Sequence, residues 1–278
     1  MLSYRHSFHA GSFADVLKHI VQIEILQHLL QKEKTIHYID THAGAGLFDL
    51  NSEHSIKLKE FETGISLLTE VDWPELTTYF KIIRFFNSTK TLHYYPGSPM
   101  IALQLLRDQD RAWFFELHST DSRLLGENVG RDRRAKVRSS DGFEGLLSLL
   151  PPVSKRALVA IDPAYEIKSD YAKVVQTLRE AHRKFAIGTY ALWYPVIERE
   201  RIDRLVRDLE ATKIPNIQRF ELCVRPDSVN SGMTGAGMIV INSPWTLMAT
   251  MRVLLPRLVV VLGQEPGANY TADTIAPE

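Results

Sequence analysis

Cysteine is nearly absent from this chain, which holds one, Cys223, in 278 residues. That excludes an internal disulfide and any metal cluster built on several thiolates, and it suits a reducing compartment. Net charge is lacking as well. The 33 basic side chains are matched by 33 acidic ones, which argues against coating nucleic acid by bulk electrostatics and leaves room for a local basic face. No apolar run is long enough for a bilayer. The longest one near the carboxyl end, residues 253–262, is interrupted by Pro256 and Arg257 and is far too short to span. Met1 to Phe8 carries Arg5 and His6 with no apolar stretch after them, so it does not read as a secretion signal. A soluble cytoplasmic protein is the expectation.

What is present is an alternation of helix and strand. Val16, Leu17, Ile20, Ile23, Leu26 and Leu30 recur at helical spacing over 14–30, with Ser12 and Asp15 placed to cap the start. Seven strands are expected, over 36–39, 112–117, 136–139, 158–161, 185–193, 217–224 and 238–241. Helical patterns over 99–107, 122–129, 143–150, 171–184 and 198–211 separate most of them. This order predicts an α/β fold with a mostly parallel sheet covered on both faces. Between Gly46 and Ala112 the alternation lapses, and patterns over 58–70 and 75–86 read as helices. The expectation is one domain, 1–278, with an inserted helical lobe over 50–92.

The first candidate site is Asp40-Thr41-His42-Ala43-Gly44-Ala45-Gly46, directly after the first strand. Gly44 and Gly46 let the backbone turn sharply and approach a ligand closely, and the carboxyl end of a central strand is where open α/β sheets bind ligands. An ordinary strand-to-helix turn is the alternative. No Gly-Lys-Ser/Thr follows, so this is not a lysine-bearing phosphate loop, and the three-glycine dinucleotide spacing is missing. Asp-x-x-x-Gly-x-Gly is the pattern of S-adenosylmethionine sites. Glu116, ending the second strand, can accept both ribose hydroxyls of a nucleoside. Asp141, before Gly142 at the end of the third, can take an adenine amino group. Each is also explicable as a charged strand end or a turn.

The second candidate is Ile161-Asp162-Pro163-Ala164-Tyr165, after the fourth strand. An adenine exocyclic nitrogen is a poor nucleophile because its lone pair is delocalised into the ring. The Asp162 carboxylate and the Pro163 carbonyl can accept its two N–H groups, favouring the pyramidal nitrogen that attacks a methyl, and the carboxylate can take the released proton. Tyr165 can stack on a base rotated out of its helix. At the amino end, Tyr4-Arg5-His6-Ser7-Phe8-His9-Ala10-Gly11 is poor core material, and Asp15, Lys18 and His19 share a helix face beyond it. Lys18 and His19 can hold a ligand from above, with the tail closing over it; a solvated tail and charged face is the alternative. Metal binding by His6 and His9 is a further option, without a carboxylate or cysteine set to complete it. The run Arg131 to Arg138 carries five positive charges against one negative; it either grips phosphates or is solvated loop charge. Residues 227–237, rich in Ser and Gly, read as a loop bordering the active face.

Several blocks together resemble a known family. Met1-Leu2-Ser3-Tyr4-Arg5-His6-Ser7-Phe8-His9-Ala10-Gly11, Ala14-Asp15-Val16-Leu17-Lys18-His19 and the glycine turn are similar to the RlmJ family. So are Tyr95-Pro96-Gly97-Ser98-Pro99, Ala191-Leu192-Trp193-Tyr194-Pro195, Gly232-Met233-Thr234 and Gly237-Met238-Ile239-Val240-Ile241-Asn242. These are bacterial 23S ribosomal RNA (adenine-2030-N6)-methyltransferases. The resemblance implies a class I S-adenosylmethionine-dependent methyltransferase, Rossmann-like, with a mostly parallel seven-stranded sheet and a small helical insertion after the first strand. It implies S-adenosylmethionine held by His19, His42, Ser98, Glu116, Asp141 and Gly142, and Asp162 as catalytic acceptor beside the cofactor. It gives Tyr4, His6 and Lys18 a part in engaging substrate or closing the site. From the residues themselves no metal, no membrane association and no obligate protein partner is expected. The family's Asp-Pro-Pro-Tyr motif has Ala164 at its third position here, so a looser but active loop is expected. A DNA adenine methyltransferase and a non-enzymatic protein that binds DNA for its utilisation are the rival readings.

Overall fold

A computed structural model of the chain describes residues 5–89, 91–167, 169–227 and 232–278. After a turn at His6–Phe8 comes α1 (Phe13–Leu30), then β1 (His37–Asp40) and the short β2 (Leu47–Asp49). Next are α2 (Glu53–Leu58), α3 (Thr77–Phe85), β3 (Tyr94–Pro96), α4 (Ser98–Leu105), β4 (Arg111–Phe115), α5 (Ser119–Val129) and β5 (Ala135–Arg138). The remainder is α6 (Gly142–Leu149), β6 (Ala157–Ile161), α7 (Asp170–Lys184), β7 (Thr189–Val196), α8 (Arg199–Ala211), β8 (Ile217–Cys223), β9 (Gly235–Ile241), α9 (Leu247–Leu262) and β10 (Asn269–Ala276).

The main sheet runs β10-β8-β9-β7-β6-β1-β4-β5, eight strands where seven were expected. From β5 to β7 all neighbours are parallel, while β9 pairs antiparallel with both β7 and β8, and β10 antiparallel with β8. Alternation along the strands divides the core into two layers. Tyr38, Phe114, Leu158 and Ala191 face α1, α4 and α9. Ile39, Phe115, Val159 and Leu192 face α6, α7 and α8. Because the strand order reverses at β1, the loops leaving β1 and β6 diverge and open a crevice at the carboxyl edge of the sheet.

Three expectations change, and one run left without a secondary-structure assignment is now placed. No helix forms over 58–70: α2 ends at Leu58, Lys59 is left-handed at φ 52°, and short 3-10 turns follow at Glu60–Thr63 and Ile65–Leu67. The cause is tertiary. A Cβ on Gly64 would lie 2.1 Å from the Gly11 carbonyl, whose oxygen accepts from the Ile65 N–H at 2.9 Å, so this stretch is shaped by docking against the amino-terminal block. The expected strand over 185–193 begins at Thr189, because residues 185–188 make a turn closed by Gly188 N–H donating to Phe185 O. The run around Pro256 is a helix, α9, which carries the proline internally and buries Leu254, Leu255 and Leu258 against the sheet. The eighth strand, β10, is an edge strand with no buried residue. No helix among the described residues is long and apolar enough to cross a membrane.

Candidate active site

The glycine turn leaves β1 with Gly44 at φ +59° and Gly46 at φ +79°, left-handed values that favour glycine. Gly46 O accepts from Gly97 N–H at 2.7 Å, tying the turn to the Tyr95-Pro96-Gly97-Ser98 segment. Asp40 is buried beneath. Its Oδ2 accepts from the Ser98 hydroxyl at 2.7 Å and the Tyr38 hydroxyl at 3.0 Å, and its Oδ1 takes the His42 N–H at 3.3 Å. Burial outweighs these bonds and pushes the carboxyl up to about 6. His42 meets Phe143 edge-on at 4.8 Å, and burial pulls its imidazole down to about 4, so the ring is neutral at physiological pH.

Above the turn lies a cavity of about 510 Å³, the size of a small-molecule site. Glu116 is held in its wall by two backbone donors, Gly44 N–H at 2.8 Å on Oε2 and His118 N–H at 2.7 Å on Oε1. Each oxygen keeps acceptor capacity, and burial raises the carboxyl. Asp141 caps α6, Oδ1 accepting from Phe143 and Glu144 N–H, while Oδ2 pairs with Lys173 at 2.9 Å. Burial opposes its charge, but Lys173 and the two amides outweigh that and hold the carboxyl below its ordinary range. At Gly142 an added Cβ would lie 1.9 Å from the Thr41 carbonyl oxygen. The position is glycine because α6 starts in contact with the β1 turn.

Asp162 and Pro163 line the same cavity. Lys18 Nζ donates to Asp162 Oδ2 at 2.7 Å and pairs with Asp15 Oδ1 at 3.0 Å. Burial works against the ammonium, yet the two carboxylates outweigh it and raise its pKa. Asp15, instead of completing a cap with Ser12, accepts from Gly11 N–H and bonds His6 Nε2, both at 2.9 Å. Burial disfavours this carboxylate, but His6 and Lys18 carry it well below the usual range.

Two expected contacts are absent. His19 is fully buried outside the cavity wall, its Nδ1 bonded to the Tyr95 hydroxyl at 2.7 Å, and burial pulls it down to about 3. Tyr165 also stands outside the wall. Its hydroxyl donates to Trp193 O at 2.8 Å and its ring packs 4.5 Å from Tyr171, so the side chain is engaged by the scaffold. Ser98, His42, Gly44, Gly142, His6 and Lys18 all line the cavity. Tyr4 lies outside the described residues. The rest of the amino-terminal block is bonded rather than solvated: Arg5 to Asp121 at 3.1 Å, Ser7 to His54 at 2.8 Å and His9 to Glu60 at 2.9 Å. His6 and His9 thus engage separate carboxylates, and no metal-binding group of three or more ligands occurs among the described residues. Of the loop at 227–237, residues 228–231 lie outside the described residues, and Thr234 is buried against Val196 O. Asp15 as the hub of the Lys18 network, and Phe143, Asp121 and Lys173 as wall residues, were not legible from spacing; only the shared face of Asp15 and Lys18 hinted at the first.

The donor set fits S-adenosylmethionine. Glu116 has spare acceptor positions for a ribose diol, Phe143 and the Asp141 turn offer an adenine an apolar and a polar contact, and the carboxylate of Asp162 suits a cationic sulfonium. A parallel sheet reversing at β1, closed by an antiparallel hairpin, with this cavity at its carboxyl edge, is the architecture of a class I S-adenosylmethionine-dependent methyltransferase. Residues 33–274 match the family described as "Ribosomal RNA large subunit methyltransferase D, RlmJ". The protein named Ribosomal RNA large subunit methyltransferase J in Escherichia coli is 49% identical over 280 residues, and its Haemophilus influenzae namesake 48% over 281, each alignment covering 100% of both chains. A crystal structure of a Legionella pneumophila protein, 34% identical, superposes with a TM-score of 0.87 over 96% of this chain and 98% of that one. The chain belongs to the RlmJ family.

Proposed function

We propose that the chain methylates the exocyclic N6 amine of an adenine in 23S ribosomal RNA, at the position numbered 2030, acting on RNA free of ribosomal proteins in the cytoplasm. The observation that carries this reading is that Asp162 and Pro163, successive residues that supply a carboxylate and a backbone carbonyl, both line the cavity; the names of the relatives support the RNA. The whole chain works as one methyltransferase unit, with 50–92 as its lobe. S-adenosylmethionine, when bound, supplies a methyl group already activated by the sulfonium. Glu116 holds the ribose, Asp141, Gly142 and Phe143 the adenine, and His42, Gly44 and Ser98 the rest. His19 acts from behind, as a positioning group for Tyr95. Asp162 Oδ and Pro163 O accept the two amine hydrogens, aligning the nitrogen lone pair with the methyl carbon, and most of the acceleration comes from that alignment. Lys18 and His6 set the orientation of Asp162 and the cavity roof, and Tyr4 engages the substrate.

Substrate phosphates have a natural partner at the sheet edge. Along β5, Lys136 and Arg138 are exposed and lie 4.8 and 5.7 Å from the Trp113 ring centre. Arg131 and Arg133 are exposed beside them, whereas Arg134 is taken up by Asp132. The strand ends where Arg138 O accepts from Glu116 N–H, at the cavity. Four cations leading to the mouth suit a structured RNA backbone.

The test is transfer of labelled methyl groups to protein-free 23S RNA, to DNA and to neither, with wild type and Asp162→Ala. Label on RNA adenine that disappears in the variant is the expected result, with a loss of at least about a hundredfold. Label on DNA alone keeps the chemistry and replaces the substrate. No label on either nucleic acid overturns the reading in favour of a binding protein.

A further inference from the structure

The first residues of a chain are poorly ordered unless something ties them down, and the turn at His6–Phe8 buries none of its residues. It is held instead by the lobe inserted between β2 and β3. The Ser7 hydroxyl and His54 Nδ1 share a hydrogen bond at 2.8 Å, and the Phe8 ring stacks on His54 with centroids 4.3 Å apart. His9 Nδ1 bonds Glu60 Oε1 at 2.9 Å. Ser55 Oγ donates to Ser7 O at 3.0 Å, and Ile65 N–H donates to Gly11 O at 2.9 Å. Gly64 lies against that same carbonyl with no room for a Cβ. Ser7, Phe8, His9 and Gly11 are thus each matched by a residue of the lobe.

The same block is bonded on its other side to the active site. Gly11, whose carbonyl faces the lobe, turns its N–H to Asp15 Oδ2 at 2.9 Å, and His6 Nε2 meets that oxygen at the same distance. Asp15 Oδ1 pairs with Lys18 at 3.0 Å, and Lys18 donates to Asp162 Oδ2 at 2.7 Å. Asp15 and Lys18 are buried, where polar contacts meet little competition from water. A continuous series of bonds therefore runs from the backbone of the lobe to Asp162.

We propose that the inserted lobe is a positioning element of the active site: His54 and Glu60 fix the amino-terminal block, and the block fixes Asp162 through Asp15 and Lys18. The inference rests on the proposed reaction. His54 and Glu60 stand outside the cavity wall and act at a distance from the reacting atoms. Lys18 is a point charge on a flexible stem, so the place of its ammonium is set by the carboxylates it meets. Asp15 is the one that does not face substrate, and its other oxygen is pinned by His6 and Gly11. Methyl transfer needs amine, methyl carbon and sulfur in line, and a carboxylate displaced by about 1 Å costs up to about a hundredfold in rate. His54 and Glu60 meet the block at residues 7–9, so their influence reaches Asp15 by way of the adjoining His6.

Single-turnover methyl transfer to protein-free 23S RNA at saturating cofactor, read beside thermal unfolding, tests this coupling. The double substitution His54→Ala/Glu60→Ala removes two half-exposed side chains. It should unfold within about 4 °C of wild type yet transfer methyl about tenfold more slowly. In a His6→Ala background the same pair should cost less than about twofold, because the step from the block to Asp15 is already broken. Arg84→Ala, which breaks the lobe's own exposed bond to Glu70, is the control and should keep the wild-type rate. A wild-type rate in the double variant overturns the proposal. So does an equal loss in Arg84→Ala, or a loss of about tenfold that recurs in the His6→Ala background, the mark of independent sites. Should the combined variant not fold, Glu60→Ala alone takes its place in the cycle and is judged in the same way. The two readings fail differently. Wild type inactive on adenine removes the reaction itself, whereas active wild type with unaffected lobe variants removes the coupling alone.

Discussion

Gly142→Ala will lose at least about 3 kcal/mol of stability, above the usual range for an added methyl group. The new Cβ would sit 1.9 Å from the Thr41 carbonyl oxygen, 2.6 Å from its carbon and 2.7 Å from its Cα. All three are backbone atoms, so no side-chain rotation relieves the clash. α6 must withdraw from the β1 turn, and that turn carries Gly44, whose N–H fixes Glu116. Thermal unfolding should show a midpoint lower by roughly 6–12 °C, taking 2–4 °C per kcal/mol for a chain of this size, together with loss of S-adenosylmethionine binding. Gly126→Ala is the control. It lies inside α5 with nothing within 4 Å of its added Cβ, so the same methyl group should be neutral or stabilising there. A Gly142→Ala protein that melts with wild type would mean that the start of α6 yields more freely than its contacts allow.

Lys18→Met will cost about 3–5 kcal/mol, the usual penalty for removing one partner of a buried ion pair. The substitution preserves the stem and deletes the ammonium between Asp15 and Asp162. Asp15, 1% exposed, is then left with His6 and one backbone N–H. The pH dependence follows from the sign of the shift. In wild type Asp15 is held well below its ordinary value, so its contribution to stability is present above the unfolded-state value near 4 and fades as pH falls through the folded one. Without Lys18, burial dominates, the folded-state value rises, and protonation relieves the variant. The gap between the two melting curves should therefore narrow on acidification below about pH 5. Equal melting temperatures at neutral pH would show that His6 alone neutralises Asp15. Methyl transfer should fall with the same substitution, since Asp162 loses the group that orients it.

The strands that line the crevice were readable because they are buried on both faces, and a strand such as Ala157–Ile161 is apolar from end to end. The acids at or just beyond their carboxyl ends, Asp40, Glu116 and Asp162, stood out against those runs for the same reason, whereas Asp141 follows the exposed edge strand β5 and was marked by its place before Gly142. β10 could not be read, because an edge strand that buries nothing needs no apolar alternation. α9 was obscured by Pro256, which ordinarily ends a helix and is here outweighed by the leucines packed around it. Residues 58–70 have a helical pattern, but Gly64 sits against the backbone of Gly11, a contact between segments more than fifty positions apart that no local pattern encodes. His42 and Ser98 entered only through family resemblance; both line the cavity. Tyr165 and His19 show the reverse. Their chemistry suits a site, but Trp193 O and the Tyr95 hydroxyl claim them. Which neighbour a polar group finds is a three-dimensional fact, and it decides whether that group serves a ligand or the scaffold.

The placement of α1 has a consequence for synthesis. This helix is buried along most of its length, and its apolar residues share a core layer with β9 and α9. Those elements are translated roughly two hundred residues later, which at usual elongation rates is about ten to forty seconds. Until they arrive, the part of this isoleucine- and leucine-rich helix that they cover stays open, while α4 and the earlier strands can already pack on the rest. The nascent protein therefore spends most of its production time with its first element only partly covered, and factors that shield emerging apolar segments would act over that interval.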